Sequence, residues 1–218
     1  GYRHMRNDVR NTLTLSLFPA NASLNLLSAF VQNEFTLIDE RLKLTAGSKF
    51  ERNDYTGLEV QPSARIAWFQ PNAHTIWTGV SRAIRSPSRF DADVLSPGLI
   101  GDRDFRSESV TAYEVGYRTQ PSPLTSISAS VYYNVYRNLR SINFNPGGDP
   151  LLTFRNDHEA ESWGLELMAS AQPFSFWRVR GGYTYLDKSL RSLSDFTFPG
   201  GDAFEAIDPN HQVILHNM

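Results

Sequence analysis

The chain has 218 residues, 40% of them hydrophobic and 20% charged, with a formal net charge of -2 and a pI near 6.2. This near balance supplies no basic footprint for nucleic acid, and the absence of cysteine removes disulfides, thiolate nucleophiles and Cys-based zinc sites together. No run approaches the roughly 18 to 20 apolar residues of a membrane helix, but a mean hydropathy of -0.38 does not oppose crossing by strands, where only every second residue must be apolar.

The N-terminal Gly1-Tyr2-Arg3-His4 has neither an initiator Met nor a signal-peptide apolar region, so the chain reads as an internal piece of something longer. Residues 1 to 23 read as an irregular polar segment, a strand remnant over the alternating run Asn11 to Phe18, and a turn at Pro19-Ala20-Asn21. From Leu24 the pattern tightens. Leu27, Ala29, Val31, Phe35 and Leu37 share one face, opposed by Ser28, Gln32, Glu34 and Thr36. Asp39-Glu40 turns the chain. Leu42, Leu44, Ala46 and Phe50 then alternate with Lys43, Thr45, Gly47, Lys49 and Glu51.

A polar loop at Asn53 to Gly57 leads to Glu59 through Phe69, in which Pro62, Ala64, Ile66 and Trp68 oppose Ser63, Arg65 and Ala67. Gln70-Pro71-Asn72-Ala73 turns back into His74 to Ala83, whose poor alternation leaves its facing open. A long Pro-, Arg- and Asp-rich connection follows, Arg85 to Ser107. Glu108 to Arg140 then holds period two for longer than a soluble strand requires. Tyr113, Val115, Tyr117, Ile127 and Val131 fall on one face and Glu114, Gly116, Arg118, Ser128 and Ser130 on the other, with Gln120-Pro121-Ser122-Pro123 as the turn.

Asn143 to His158 reads as another long polar loop. Trp163, Leu165, Leu167 and Ala169 alternate with Gly164, Glu166, Met168 and Ser170. Gln172-Pro173-Phe174-Ser175 turns the chain, and Trp177, Val179, Tyr183 and Tyr185 alternate with Arg178, Arg180, Gly182 and Thr184. A last loop, Arg191 to Pro209, precedes what reads as one more strand, interrupted at Met218.

Short turns near 39, 71, 121 and 173 thus alternate with longer loops near 55, 95, 150 and 200. Together with long two-faced strands, that sorting predicts an all-β fold: part of an antiparallel up-and-down transmembrane β-barrel of about nine strands, with short periplasmic turns and long extracellular loops. Aromatics at 12% suit girdles at the two membrane interfaces, although a β-sandwich core would also use them.

The residues also resemble a family, the TonB-dependent outer-membrane receptors. Ser28-Ala29-Phe30-Val31-Gln32-Asn33-Glu34, Leu42-Lys43-Leu44-Thr45-Ala46-Gly47-Ser48-Lys49 and Gln61-Pro62-Ser63-Ala64-Arg65 resemble successive strands of that family. Ser81-Arg82-Ala83-Ile84-Arg85-Ser86-Pro87-Ser88-Arg89 is the nearest likeness, followed by Glu114-Val115-Gly116-Tyr117 and Trp163-Gly164-Leu165-Glu166. The resemblance implies that residues 1–218 are part of a single barrel domain in the outer membrane of a Gram-negative bacterium, lacking the plug domain, TonB box and last barrel strand. It implies uptake of a scarce nutrient, most of all a ferric siderophore or similar metal chelate, energised through the TonB complex. Membrane lipid, the plug and the chelate are the partners it implies, with no cofactor.

Two groups of residues are candidates for a site. Arg85, Arg89, Arg103 and Arg106 lie in or beside the longest loop, where cations can recognise an anionic chelate, and Phe90 and Phe105 can stack on a flat ligand. Asp91, Asp93, Asp102 and Asp104 offer the plainer alternative of local neutralisation, as packing within the loop does for the two rings. Lys43, Arg65, Glu114, Arg118, Glu166, Arg178 and Arg180 fall on the lumen face, to line a path or simply to pair across strands. The histidines are scattered, with His211 and His216 on opposite faces, so no metal site is expected. No nucleophile elbow, phosphate loop or metalloprotease motif supports catalysis. The rival readings are a soluble secreted β-sheet binding module and a membrane barrel of another class, a porin or a lipid hydrolase.

Overall fold

A computed structural model describes residues 1–148, 151–194 and 208–217. In chain order the elements are β1 (Tyr2–Asp8), β2 (Ser16–Leu17), β3 (Asn21–Ile38), β4 (Leu42–Asn53), β5 (Gly57–Gln70), β6 (His74–Arg85), α1 (Arg89–Asp93), β7 (Val94–Ser96), β8 (Leu99–Ile100), β9 (Glu108–Ser122), β10 (Thr125–Phe144), β11 (Leu152–Phe174), β12 (Trp177–Ser192) and β13 (His211–Asn217). Ten of them, β1, β3, β4, β5, β6, β9, β10, β11, β12 and β13, pair in that order as one antiparallel meander.

Register carries the alternation of each strand across the whole sheet. Phe35, Leu44, Ile66, Thr78, Val115, Val131, Leu165 and Tyr185 follow one another across the strands, and the next row toward the loop edge contains Val80, Tyr113, Tyr133 and Trp163. On the opposite face runs Thr36, Lys43, Ala67, Trp77, Gly116, Ser130, Glu166 and Thr184. A one-residue slip at any pairing would put a charged row on the apolar side, so the pattern fixes the register. The same rows settle β6, where Ile76, Thr78 and Val80 join the apolar face and Trp77 joins the polar one.

Aromatic side chains gather at two heights of the apolar face. Tyr113 and Tyr133 stack with centroids 6.4 Å apart and Trp163 tilts on Tyr185 at 5.1 Å, while Phe174, Phe176 and Trp177 stack at the opposite edge. From Trp163 to Phe174 the strand rises about 36 Å at ~3.3 Å per residue. With a barrel tilt of ~35–45° this is roughly 26–30 Å along the membrane normal, close to the height of a barrel's apolar band.

Several sequence expectations need correction. The first strand is Tyr2–Asp8, whereas only Ser16–Leu17 of the run from Asn11 to Phe18 is extended and paired. Asn11 and Thr12 bond locally to Leu17 and Leu15, drawing that segment into turns. The loop placed at Asn143 to His158 is mostly strand, since β10 continues to Phe144 and β11 begins at Leu152. Its polar side chains bond across the hairpin, as Asn143 does to Asp157 at 2.6 Å and Asn156 to the Asn138 carbonyl at 2.6 Å. The connection between β4 and β5 shrinks to residues 54–56, closed by Asn53 Oδ1 accepting from the backbone of Tyr55 and Thr56. Pro121 and Pro173 lie inside strand ends next to register shifts, where a missing N–H leaves no ladder bond unmade. The sequence motif Pro199 to Asp202 lies outside the described residues.

Candidate functional site

All connections at one edge are brief: 39–41, 71–73, 123–124 and 175–176. The other edge carries 9–20, 54–56, 86–107, 145–151 and 193–210, and there 86–107 and part of 9–20 form a built layer rather than separate loops. Ser88 begins α1 with a capping box, its hydroxyl and backbone bonded reciprocally with Asp91. The chain then forms β7 and β8. β7 pairs with β2 from the first connection, and β8 adds in parallel to Leu152 and Thr153 at the start of β11. Val94, Phe105 and Phe154 make a small buried core beneath, with Leu17 and Leu99 against it. This layer therefore ties the β1–β3 end of the meander to β11, which lies seven strands along in the chain's run of pairings.

Asp91 is the hub of the layer and has no exposed side-chain surface. One oxygen accepts from the Ser88 backbone at 2.9 Å, the Ser88 hydroxyl at 2.8 Å and Arg85 Nη1 at 3.1 Å; the other accepts from Arg140 Nη1 at 3.2 Å. Burial acts to raise the pKa of this carboxyl, but the Ser88 bonds and the Arg85 and Arg140 guanidiniums outweigh it and hold the value below the ordinary carboxylate range. Arg85 also grips Glu108 with Nε at 2.6 Å and Nη2 at 2.7 Å, a bidentate pair that clamps the two ends of the connection together. Nearby, burial, aided by the charge of Asp93, pushes the Tyr55 phenol up to about 12.

Of the sequence-predicted loop residues, Arg89 is 8% exposed, paired with Asp93 at 3.0 Å and bonded to the carbonyls of Pro19 and Ala20. Phe105 is 3% exposed in the small core. Together with Arg85, these side chains are taken up by the loop's own framework. Phe90, Arg103 and Arg106 remain at the surface: Phe90 tilts on Phe154 at 5.5 Å, and Arg103 reaches Phe18 through its carbonyl at 3.3 Å and its ring at 5.9 Å. Arg106 is held through its backbone, which exchanges bonds with the Asn156 side chain. Sequence reasoning missed Arg140, half exposed, bonded to Asp91 and 5.4 Å from the Phe154 centroid. Its partners are distant along the chain, so spacing gives no sign of it.

Lys43, Arg65, Glu114, Arg118, Glu166, Arg178 and Arg180 all lie on the polar face by register. Lys43 pairs with Glu34 at 2.7 Å, and Arg65 approaches Glu114 at 3.9 Å while Trp77 Nε1 donates to Glu114 at 3.1 Å. Cross-strand pairing therefore accounts for those three of the seven. Toward the short-turn edge, Arg118 and Arg180 line a cavity of about 330 Å³ with Ser126, Ser128 and Ser170, and Arg178 bonds Gln172 at 3.1 Å. Among the described residues these three arginines and Glu166 make no ion pair.

Long strands with an apolar, aromatic-banded face and a charged face, turned tightly at one edge and elaborated at the other, define a transmembrane β-barrel segment of the outer-membrane class. The chain belongs to the family described as TonB dependent receptor-like, beta-barrel, which matches residues 1–215. That membership places it in the outer membrane of a Gram-negative bacterium and overturns the soluble-module reading. Similar solved structures include the siderophore receptor PirA from Pseudomonas aeruginosa (16% identity, TM-score 0.67, 78% of this chain and 35% of that chain) and PirA from Acinetobacter baumannii (17%, 0.67, 78% and 28%). The FrpB iron transporter from Neisseria meningitidis is also similar (16%, 0.69, 91% and 34%). At such identities the likeness is one of fold. The chain spans about a third of the length of these structures, whose proteins are receptors and transporters. No curated protein sequence matches it.

Proposed function

We propose that this segment belongs to a receptor that captures a ferric siderophore or similar anionic metal chelate at the cell surface and imports it with energy from the TonB complex, around a plug seated against the polar face. The observation that supports this reading is the folded layer at the long-connection edge, which presents Phe90, Arg103, Arg106 and Arg140 on a framework fixed by Arg85, Arg89, Asp91 and Phe105. Binding groups set on an ordered loop above a rigid sheet lose little entropy when a ligand arrives. Arginine and aromatic surfaces suit a flat, anionic chelate. The three arginines without ion pairs near the short-turn edge are suited to carboxylates of the plug.

The experiment is uptake by cells producing the intact receptor, measured with a panel of labelled ferric siderophores and cobalamin, with and without a functional TonB. Uptake of one chelate that disappears without TonB is the expected result. Equal, passive permeation by small solutes in both backgrounds would replace the receptor reading with that of a pore.

A further inference from the structure

Near its loop edge the polar face carries an apolar hollow, where a barrel lumen is otherwise polar. Tyr136, Leu139, Ala160, Leu186 and Leu190 line a cavity of about 600 Å³, within the ~300–1,000 Å³ of small-molecule sites. Register puts these positions on the face of Glu166 and Thr184: Gly164 pairs with Leu186, and Tyr136, Ala160 and Leu190 follow one another across β10, β11 and β12. Leu139 joins them because the register of β10 shifts between Tyr136 and Leu139, where Asn138 takes a φ of 55°. Without that bulge, period two would send Leu139 to the lipid side with Val131 and Val135.

The row between the two apolar ones is polar, and its groups are engaged with one another. Asn134 Nδ2 donates to Ser162 at 3.2 Å, Lys188 pairs with Asp208, and Asn210 donates to the Leu186 carbonyl at 3.0 Å. What the cavity offers a guest is therefore its half-buried aliphatic surface. Lipid lies on the other face of the sheet, and water is a poor occupant of apolar walls. The hollow runs about 13 Å from Leu186 to Leu190 at ~3.3 Å per residue. It ends below at the polar row of Glu166 and Thr184 and rises toward the loop edge. There Leu139 is followed by Arg140, whose half-exposed guanidinium bonds Asp91 in the folded layer. An apolar hollow and a cationic surface thus adjoin within one residue step of β10, which matches a guest that joins an anionic part to an apolar one.

We propose that the imported chelate is amphiphilic, its anionic metal centre meeting the arginine-bearing layer while an alkyl arm enters the hollow between Tyr136, Leu139, Leu186 and Leu190. This inference rests on the receptor reading and adds a substrate class to it. An alkyl arm seated there takes apolar surface of both partners out of water, a gain that grows with each methylene. A chelate with a wholly polar periphery gains nothing from the same walls, so the hollow discriminates among ligands that share one anionic head.

The test uses the intact receptor in lipid nanodiscs, titrated calorimetrically with ferric hydroxamate, catecholate and carboxylate chelates, with empty nanodiscs as the blank. Each chelate is made with an octanoyl arm and with an acetyl arm. For the head that the receptor accepts, the octanoyl form should bind at least about ten-fold more tightly than the acetyl form. Ala160→Phe, which fills the hollow, and Leu186→Asn/Leu190→Asn, which makes it polar, should each bring that ratio close to one. Equal affinity for the two arms in the wild type would overturn the amphiphilic substrate and leave the receptor reading standing, and this comparison decides the matter even if a variant fails to insert. An arm preference that persists in Ala160→Phe would overturn the hollow as its seat. Equal affinity in the wild type together with lower thermal stability of the Asn variant would assign the hollow to the plug instead. Absence of binding by every chelate would overturn the receptor reading and this inference with it.

Discussion

The indole of Trp77 fills the space above Gly116, its cross-strand partner on the polar face, so closely that a β-carbon on Gly116 would fall 2.1 Å from the ring. Tyr132 covers Gly164 in the same way two strands along. A large ring over a glycine covers the bare backbone on the face opposite the lipid, the pairing known as aromatic rescue. Gly116→Val must expel the indole and break its bond to Glu114, and should cost about 1–3 kcal/mol by overpacking. Gly181, which has nothing within 4 Å of its would-be β-carbon, should accept Ala with a change within about 0.5 kcal/mol. Denaturant unfolding in detergent, followed by tryptophan emission, distinguishes the two substitutions.

The Trp77–Gly116 pair also marks where sequence reading works and where it stops. Period two fixed the faces of β3, β4, β9, β10 and the lower parts of β11 and β12, because lipid demands an unbroken apolar row and any slip shows as a misplaced charge. It could not orient β6, where the polar face holds the large Trp77 and the apolar face holds Thr78. Only pairing to Gly116 explains a tryptophan there. Loop structure was less legible still. Asp-rich and Pro-rich composition announced a connection at 86–107, but its order comes from bonding and packing with residues 16–19, four strands away along the chain, and 152–156, two strands away. Bonding across the β10–β11 hairpin likewise turned most of the apparent loop from Asn143 to His158 into strand.

Removing the hub of that layer should loosen it without unfolding the sheet. Asp91→Asn keeps the shape but leaves Arg85 and Arg140 without their shared anion, a change at the lower end of the ~3–5 kcal/mol typical of a broken buried pair, since both arginines are half exposed. The expected outcome is rapid protease cleavage within 86–107 while the barrel keeps its heat-modifiable mobility on gels. Equal resistance of variant and wild type would remove Asp91 from this role.

Asp91 also predicts a pH dependence with a definite sign. Its folded pKa is depressed, so its contribution is complete above the unfolded carboxylate value of about 4 and is lost as pH falls through the lower folded value. Protease resistance of the 86–107 segment, assayed with an acid-active protease, should be flat from neutral pH to about 5 and decline only below about 4. The Asp91→Asn variant should lack this decline. A transition near pH 6 in the wild type would point to a histidine instead, whose ordinary pKa is about 6.5.

Facing can be measured directly. Spin labels at Val115, Val131, Leu165 and Val179 should be relaxed by oxygen dissolved in the bilayer, whereas labels at Glu114, Arg118, Glu166 and Arg180 should be relaxed by a water-soluble nickel chelate. Equal accessibility of both sets to both reagents would dismiss the assignment of faces.

The division of the loop into framework and presenting residues predicts two different outcomes for arginine substitutions only a few positions apart. Arg103→Ala and Arg106→Ala remove surface guanidiniums whose side chains carry little of the layer's packing, so the loop should keep its protease resistance while chelate affinity falls. Each charge-assisted hydrogen bond removed from a dry site corresponds to about 1.5–3 kcal/mol, roughly ten- to hundred-fold in affinity. Arg89→Ala instead leaves the largely buried Asp93 carboxylate without its ion-pair partner and unties α1 from the Pro19 carbonyl, so affinity and protease resistance should fall together. Arg85→Ala should behave like Arg89→Ala, because it releases Glu108 and Asp91 at the root of the loop. The measurements are ligand affinity on whole cells at matched surface expression, for whichever chelate the receptor imports, and cleavage of 86–107 on the same cells. If Arg103→Ala and Arg106→Ala leave affinity unchanged, the ligand must be held elsewhere, and Phe90 and Arg140 become the first positions to substitute because they face solvent around the same Phe154 ring.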